Sequence, residues 1–154
     1  MAADNEDGAR VVTTNRKARH DYTVLEAVEA GIVLTGTEVK SLRQGNGNLG
    51  DSYAVVRNGE VWLVGAHISP YDQGSYSNVD PHRNRKLLLH KKEIRKLSAL
   101  TKDKGVTLVP LKLYFLKNIA KLLLGICRGK RQYDRRQEIA ERDAERDIRR
   151  RYAR

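Results

Sequence analysis

Residues 53–68 read YAVVRNGEVWLVGAHI, and this stretch decides the fold class. Two runs rich in valine and aromatic residues flank Asn58 and Gly59. That pair is preferred in tight turns whose central residues need positive φ, so the stretch predicts a β-hairpin.

Further strands are predicted on both sides of this hairpin. Residues 21–34, DYTVLEAVEAGIVL, are rich in β-branched and apolar residues and are interrupted by Gly31. They predict either a strand pair or one bulged strand. Residues 106–127 predict two strands joined by a turn near residues 117–118, and residues 87–89 predict a short buried segment.

Two short helices are predicted between the strands. Residues 37–44 form the first, with Thr37 as its N-terminal cap and Gly45 as its end. Residues 91–104 form the second, because apolar residues recur every three positions among basic ones and Gly105 follows. Both helices interrupt the strand pattern rather than alternate with it.

This arrangement predicts a mainly β fold. Five or six short antiparallel strands with a helix between hairpins favour an OB-type closed antiparallel β-barrel with two or three flanking helices. Residues 69–86 are rich in turn formers and predict a long loop. The predicted organisation is a disordered N-terminus at 1–12, the barrel domain at 13–127 and a basic tail at 128–154, which is disordered or helical only when bound.

The charge of the chain is strongly positive. Thirty Lys and Arg residues face nineteen Asp and Glu residues, which gives a net charge of +11. Residues 1–12 carry three acids and one base, residues 13–127 eighteen bases and ten acids, and residues 128–154 eleven bases and six acids. Two separate cationic blocks favour a polyanionic partner such as RNA. A basic chain that is merely well solvated is the alternative.

No catalytic or metal-binding motif is recognisable. The four histidines are scattered, and the single cysteine, Cys127, forms neither an intramolecular disulfide nor a CxxC site. The segment GICRGKR at 125–131 fails the phosphate-loop pattern because Arg131 replaces Ser or Thr. No signal peptide or long apolar run is present. We therefore expect a cytoplasmic protein without membrane contact, enzymatic activity, cofactor or metal.

Three basic clusters in the domain are candidate RNA contacts. NRKARH (15–20) precedes the first predicted strand, and TEVKSLRQG (37–45) places Lys40 and Arg43 on one helix face. RNRK (83–86) lies at the end of the long loop. Rings that could stack on bases belong to Tyr22, Tyr71 and Tyr76.

Six sequence blocks follow one another in the order of a known family. They are NRKARHDY (15–22), EAGIVLTGTEVKSLRQG (29–45), DSYAVVRNGEVWL (51–63), HISPY (67–71), RKLLLHKKEI (85–94) and GKRQYDRR (129–136). In this order the chain resembles the family of SsrA-binding proteins, also called small protein B. It departs at residues 116–121, LKNIAK, where the family usually has a Lys-Asn-Gly-rich turn.

The resemblance implies a role in bacterial ribosome rescue. Members of this family bind the tRNA-like domain of transfer-messenger RNA and deliver that RNA to stalled ribosomes, where incomplete proteins are tagged for degradation. The implied partners are this RNA and the small-subunit rRNA decoding centre and mRNA channel of the ribosome. Elongation factor Tu with GTP joins indirectly through the charged RNA, and the protein itself is expected to be a monomer.

The resemblance also assigns site residues. Asn15, Glu29 and Leu89 match positions that recognise the tRNA-like domain. The residues expected to shape or line that surface are Arg16, Lys17, Arg19, His20, Tyr22, Glu38, Lys40 and Arg43. The segment expected in the decoding centre contains Gly129, Lys130, Arg131, Tyr133, Asp134, Arg135 and Arg136, with the ring of Tyr133 able to stack on rRNA.

Two other classes remain as alternatives at this point. The first is an OB-fold ribosomal or initiation-type protein that recognises rRNA only, because such a protein would share the basic domain and the tail. The second is an enzyme, for which the sequence offers no site. Binding to an isolated tRNA-like domain, compared with generic duplex RNA, separates the first alternative from the family reading.

Overall fold

The structure, a computed structural model, describes residues 9–71, 78–130 and Arg146. Strands predominate there, so the fold is mainly β, as the sequence predicts. The first half of the chain contains β1 (Ala9–Thr14), α1 (Arg16–Asp21), β2 (Tyr22–Ile32), α2 (Gly36–Arg43), β3 (Gly47–Asn48) and β4 (Tyr53–Arg57). The second half contains β5 (Glu60–Val64), β6 (His67–Ile68), β7 (Arg85–Leu88), α3 (Lys91–Leu100), β8 (Val106–Leu116) and β9 (Ile119–Gly129).

One seven-stranded antiparallel sheet contains most of the strands. Its order is β1-β8-β4-β5-β7-β2-β9, and β8 also pairs with β9. β8 is the organising strand, because it pairs with β9 along its length and with β1 and β4 as well. The short strands β3 and β6 pair separately.

Both predicted hairpin turns are present. Asn58 (φ 53°) and Gly59 (φ 74°) connect β4 to β5, and two positive φ values in succession are the signature of a type I′ turn. Lys117 (φ 49°) and Asn118 (φ 65°) connect β8 to β9 in the same way. The latter turn fixes the register of the last hairpin, in which Leu116 lies opposite Ile119.

The structure confirms one of the two alternatives for the run at 21–34 and corrects the predicted run at 53–68. The run at 21–34 is one bulged strand, because the register of β2 against β9 shifts between Val24 and Glu26. The run at 53–68 is interrupted after Val64, and His67–Ile68 forms β6, which pairs with β3 instead of β4. A local sequence pattern does not show which strand a two-residue strand pairs with. The boundary between β5 and β6 could therefore not be predicted from the sequence.

Strand pairing extends beyond the predicted domain limits at both ends. β1 begins at Ala9, inside the segment 1–12 that the sequence predicts to be disordered, and pairs with β8. β9 continues past Cys127 to Gly129, which lies opposite Tyr22. The predicted tail structure at 131–145 and 147–154 lies outside the described residues.

The helices differ from the prediction mainly at their ends. α1 is an additional helix, formed by residues that the sequence suggested only as a basic cluster. The cap of α2 is Thr35 rather than Thr37: its hydroxyl accepts a hydrogen bond from the Glu38 N–H (3.3 Å), and the Glu38 carboxylate accepts one from the Thr35 N–H (2.9 Å). This reciprocal pair is a capping box. α3 ends at Leu100, before the predicted end at Lys104.

Two apolar clusters fill the interior. The larger one joins the inward faces of the strands to Leu42 of α2 and Leu97 of α3. The smaller one contains Ala18 of α1 and Cys127 of β9, and it attaches α1 to the sheet. Burial raises the pKa of the Cys127 thiol to about 11, partly offset by the charge of Arg19. The thiol therefore stays protonated at neutral pH and packs as a small apolar group.

Candidate nucleic-acid interface

Asn15 is a buried cap that fixes α1 to the sheet. Its Oδ1 accepts a hydrogen bond from the Ala18 N–H (3.1 Å), while its Nδ2 donates to the carbonyls of Leu49 (3.2 Å) and Pro110 (2.8 Å). Its backbone N–H donates to the carbonyl of Leu111 (2.8 Å). Only 5% of Asn15 is exposed, so its side chain positions α1 and offers little surface to a ligand.

The helix held in this way presents basic side chains to solvent. Arg16, Lys17, Arg19 and His20 are all exposed. Lys17 forms an ion pair with Asp51 (2.6 Å), whose hydrogen bond and charge raise the pKa of Lys17. Both partners are largely exposed, and such pairs contribute little to stability. A phosphate can therefore replace Asp51 as the partner of Lys17 at small cost.

A cleft of about 270 Å³ lies beside α1. It is lined by Lys17 and Tyr22, which the sequence predicts as site residues, and by Asp51, Tyr53 and Thr107, which it does not. Tyr22 is half-buried and Tyr53 is 44% exposed. The cleft thus combines a cation with aromatic rings, the combination that holds the backbone and bases of single-stranded RNA.

A larger groove of about 780 Å³ lies between β1 and α2. Three arginines line it, namely Arg10, Arg16 and Arg43, and its described lining contains no carboxylate. One Nη of Arg10 donates to the carbonyl of Arg43 (3.3 Å), and the guanidinium of Arg43 lies 5.0 Å from the ring centroid of Phe115. The groove concentrates positive charge from separate elements. Arg10 is not among the site residues predicted from the sequence, because it lies in the segment predicted to be disordered.

Lys40, the other predicted base of α2, is exposed beside an aromatic ring. Its ammonium lies 5.7 Å from the ring centroid of Tyr71. A cation this close to a ring is attracted by the electron-rich face. Tyr71 is half-buried, and Tyr76 lies outside the described residues.

Glu29 lies at one end of a row of residues that crosses four strands. Thr14 of β1 pairs with Lys112 of β8, which pairs with Leu123 of β9. Leu123 in turn lies opposite Glu29 of β2. Neighbouring strands are about 4.8 Å apart, so the row spans roughly 14 Å. Asn15 directly follows Thr14, and the row therefore connects two of the predicted recognition positions.

The carboxylate of Glu29 is held in place by Tyr114. The Tyr114 hydroxyl donates a hydrogen bond to Glu29 (2.5 Å), and the Lys112 ammonium lies 5.8 Å from the Tyr114 ring centroid. Burial of Tyr114, and then its hydrogen bond to Glu29, raise the pKa of Tyr114 well above its ordinary value. Tyr114 therefore remains a donor, and Glu29 keeps lone pairs for donors of a ligand. The alternation along β8 was the signal that could have found Lys112 and Tyr114.

Leu89 directly follows β7, and β7 pairs with β2, the strand that contains Glu29. β7 pairs with β2 at Leu88–Gly31 and Leu87–Ile32, and Leu89 follows at the end of β7. Leu89 is half-buried and packs against the larger core cluster. Leu87 is fully buried, whereas Leu88 is 53% exposed, so only part of the predicted buried segment at 87–89 is buried.

Glu38 does not line the surface but holds two arginines inside the protein. Its carboxylate binds the Arg83 guanidinium and Nε of Arg85 (2.6 Å), and it is only 4% exposed. Burial pushes the pKa of Glu38 up, but hydrogen bonds from Arg83, the Thr35 backbone and Arg85 outweigh burial and hold it below its ordinary value. Glu38 therefore stays charged at neutral pH and shapes the site from within.

The same network corrects the prediction of a basic contact cluster at 83–86. Arg85 is fully buried and donates to the carbonyls of Ala66 (2.9 Å) and Pro81 (3.0 Å) in addition to Glu38. Lys86 is half-buried and pairs with Glu60 (3.6 Å). The arginines of this cluster hold the loop against the sheet.

The predicted tail motif begins beside α1. Gly129 is the last residue of β9 and lies opposite Tyr22, the C-terminal cap of α1. Lys130 follows and is half-buried. The remaining residues of the motif, which are Arg131, Tyr133, Asp134, Arg135 and Arg136, lie outside the described residues.

Other candidate chemistry is sparse in the described part of the chain. Side chains of His, Cys, Asp and Glu form no cluster there that could hold a metal ion. The rings of His67 and His82 lie 4.7 Å apart, but no third ligand joins them among the described residues. No helix within residues 9–71 and 78–130 is long and apolar enough to cross a lipid bilayer.

Comparison with known sequences gives consistent matches. The family model described as SmpB protein matches residues 12–154. The SsrA-binding protein of Desulfitobacterium hafniense (strain DSM 10664 / DCB-2) is 56% identical over 146 residues, which cover 95% of this chain and 94% of the relative. The SsrA-binding protein of Ligilactobacillus salivarius (strain UCC118) is 62% identical over 136 residues, which cover 88% of each chain.

A solved structure is similar as well. It is described as "tmRNA-SmpB: a journey to the center of the bacterial ribosome", and its matching chain is 56% identical to this one with a TM-score of 0.66. The match covers 77% of this chain and 83% of that chain. With a family model that spans residues 12–154 and relatives this similar along most of its length, the chain belongs to the SmpB family.

Proposed function

We propose that this protein binds the tRNA-like domain of transfer-messenger RNA and delivers that RNA to stalled bacterial ribosomes for trans-translation. Its relatives are SsrA-binding proteins, and the similar solved structure is that of tmRNA-SmpB. The observation that carries the proposal is the row from Thr14 to Glu29, because it joins an oriented carboxylate to the basic helix α1. The two groups are complementary in RNA recognition, because cations bind phosphates and a fixed acceptor binds hydroxyl or amino donors.

The two kinds of residue have different roles in this proposal. The exposed bases of α1 and the three arginines of the groove between β1 and α2 contact phosphates. Glu29, oriented by Tyr114, accepts hydrogen bonds from a nucleotide. Asn15 and Glu38 are positioning residues, since both are buried and hydrogen-bonded within the fold.

The remaining steps follow from the same proposal. The tail acts in the decoding centre and mRNA channel of the ribosome after the RNA is bound, and elongation factor Tu with GTP accompanies the charged RNA. The protein works by binding alone, as a cytoplasmic monomer without a cofactor. The start of the tail beside Tyr22 supports a tail that acts together with α1, because β9 ends next to the RNA-binding helix.

We also propose that the sheet is an OB-type barrel. The pairings β8–β9, β9–β2, β2–β7, β7–β5, β5–β4 and β4–β8 connect six strands in sequence and return to the first. Two of these contacts are short: β4 meets β8 at one residue pair, and β2 meets β7 at two. A barrel would present α1 and the cleft beside it on its outside, where a folded RNA can reach them.

Replacing Glu29 with Gln is expected to weaken binding to the isolated tRNA-like domain roughly tenfold or more, because a hydrogen bond to a charged group contributes about 1.5–3 kcal/mol. A gel shift with the purified RNA domain measures the change. Glu26→Gln is the matched control, since Glu26 lies on the same strand, is exposed and pairs with Lys96. Equal affinities for Glu29→Gln and the wild type would contradict the role of Glu29.

Affinity for the tRNA-like domain is expected to fall steeply with salt. If about five to eight phosphates are neutralised, the slope of log K against log salt is roughly −4 to −7. Filter binding across a range of potassium chloride concentrations gives this slope. A slope near zero would show that charge is not the main source of affinity. Equal affinity for a generic RNA duplex would instead indicate an rRNA-type binder without specificity for the tRNA-like domain.

A further inference from the structure

We infer that the outer face of β4, β5 and β7 is a second RNA-contact surface, which holds an unpaired base against Trp62. The inference rests on the proposed RNA-binding function and extends it from Tyr53, which also lines the cleft beside α1, to Trp62 and Arg57, which lie outside the site described above. It assigns a ligand class, single-stranded RNA, to a groove of about 510 Å³.

The groove is formed by the solvent-facing side of a hairpin. Directly opposed residues of antiparallel strands project from the same face, so three cross-strand pairs share this groove. The intervening residues Val61 and Leu63 are fully buried in the core, which places the three pairs on the outside. The pairs are Tyr53 with Val64, Val55 with Trp62 and Arg57 with Glu60.

The aromatic rings of the groove are only partly buried in the fold. Trp62 is half-buried, and Tyr53 is 44% exposed. The two residues are diagonal neighbours across the strands, a relation in which Cα atoms lie about 7–8 Å apart and large side chains share one patch. Partly exposed rings on a polar face are the platform on which bases of single-stranded RNA stack.

The polar groups of the groove favour RNA as the occupant. Glu60 is neutralised by Lys86 (3.6 Å), whereas Arg57 is exposed and has no ion-pair partner among the described residues. Its guanidinium is therefore available to a phosphate. The amides of Asn58 and Asn84 also line the groove, and amides can donate to and accept from the edges of a base.

The groove adjoins the cleft beside α1 at one residue. Tyr53 lines both the groove, which contains Trp62, and the cleft, which contains Lys17. A single strand of RNA bound at α1 can therefore extend over Tyr53 towards Trp62. This shared residue is the reason to assign the groove to RNA rather than to a protein partner.

Trp62 is the only tryptophan of the chain, so its fluorescence reports on this groove alone. The full-length protein is titrated at low salt with oligo(U) and oligo(A) of about ten nucleotides, a length within the range that one OB-type domain binds. An RNA duplex of the same length is the control. Saturable quenching by the single strands, with much weaker quenching by the duplex, is expected, because duplex bases already stack on each other. Equal quenching by the duplex, or single strands that bind without quenching, would overturn the inference.

A substitution supplies an independent test. Tyr53→Ala is expected to weaken binding of a fluorescein-labelled oligo(U) roughly fivefold or more, measured by anisotropy, because a stacking ring is lost. Ile119→Ala is the matched control, since Ile119 is 58% exposed and lies at the far turn of β8 and β9. Unchanged affinity in Tyr53→Ala would overturn the inference and leave the groove to a protein partner.

The two proposals can fail separately. Binding of the tRNA-like domain that depends on Glu29, together with an unquenched Trp62, would remove the second surface and keep the proposed function. Quenching that depends on Tyr53, together with no preference for the tRNA-like domain, would keep the second surface and remove the proposed function. Circular dichroism of each variant confirms that the sheet is retained.

Discussion

Cutting the chain after Lys130 is expected to abolish tagging on stalled ribosomes while leaving affinity for the isolated tRNA-like domain nearly unchanged. The shortened chain keeps α1, the arginine groove and Glu29, which are the proposed contacts with the RNA. The removed residues 131–154 carry nine bases and six acids and few large apolar residues, so they add charge but little core. Gel shifts measure the affinity, and in vitro translation of a message without a stop codon measures tagging.

The position of the cut matters, because β9 runs to Gly129. A cut after Cys127, the limit that the sequence predicts, removes the pairings of Arg128 and Gly129 with β2 and the ion pair between Arg128 and Asp103 (2.7 Å). This cut would damage the sheet as well as remove the tail, so the effects of the two changes could not be separated. With the cut after Lys130, equal loss of both activities would show that the tail belongs to the RNA-binding unit, and full tagging would show that it is only a solvated charge run.

Replacing Glu38 with Gln is expected to destabilise the protein by about 3–5 kcal/mol, the usual cost of removing one partner from a buried ion pair. Arg85 is fully buried and Arg83 is 27% exposed, so both would lose their counter-charge without gaining water. Urea unfolding measures the change. Glu60→Gln is the control, because Glu60 and Lys86 form an exposed pair worth less than about 1 kcal/mol. Similar small losses in both variants would contradict the structural role of Glu38.

The Glu38 carboxylate also makes the free energy of unfolding depend on pH in the acidic range. The pKa of Glu38 is lowered in the folded protein from an ordinary value of 4.5. Its stabilising effect is therefore fully present above pH 4.5 and is lost as the pH falls through the folded pKa. The difference in unfolding free energy between the wild type and Glu38→Gln should narrow on acidification below that point. A difference that is constant down to pH 3, roughly a unit below an ordinary Glu pKa, would contradict a lowered pKa of Glu38 in the folded protein.

Local sequence signals predicted the strands better than their partners. Asn58 and Gly59 identify the first hairpin because a two-residue turn has its own chemistry. β1 was missed for the opposite reason: its residues pair with β8, and nothing in the acidic flank around Ala9 encodes that contact. The isolated pairing of β3 with β6 was missed in the same way.

The residues of the candidate site show the same difference between local sequence signals and long-range contacts. Exposed bases such as Arg16 and Arg43 were predicted correctly as surface groups, since charge is favoured in water. The buried roles of Asn15 and Glu38 were not, because residue type reveals hydrogen-bonding capacity but not burial. The partners of Asn15 at Leu49 and Pro110 are 34 and 95 positions away along the chain.

The sheet also determines when the protein can fold during its own synthesis. Thr14 pairs with Lys112, and Glu29 with Leu123, so the N-terminal strands cannot pair until segments about 95 residues further along the chain have left the ribosome, a separation of roughly the size of a small domain. Pairings between residues this far apart along the chain form slowly. The conformational entropy of the intervening chain is lost before the new contacts contribute favourable free energy. In a copy released early from a broken message, before β8 and β9 are made, β1 would lack its partner β8, and β2 would keep only its short contact with β7. Under the proposed function, the nascent protein would thus itself be vulnerable to the kind of interrupted translation that the finished protein resolves.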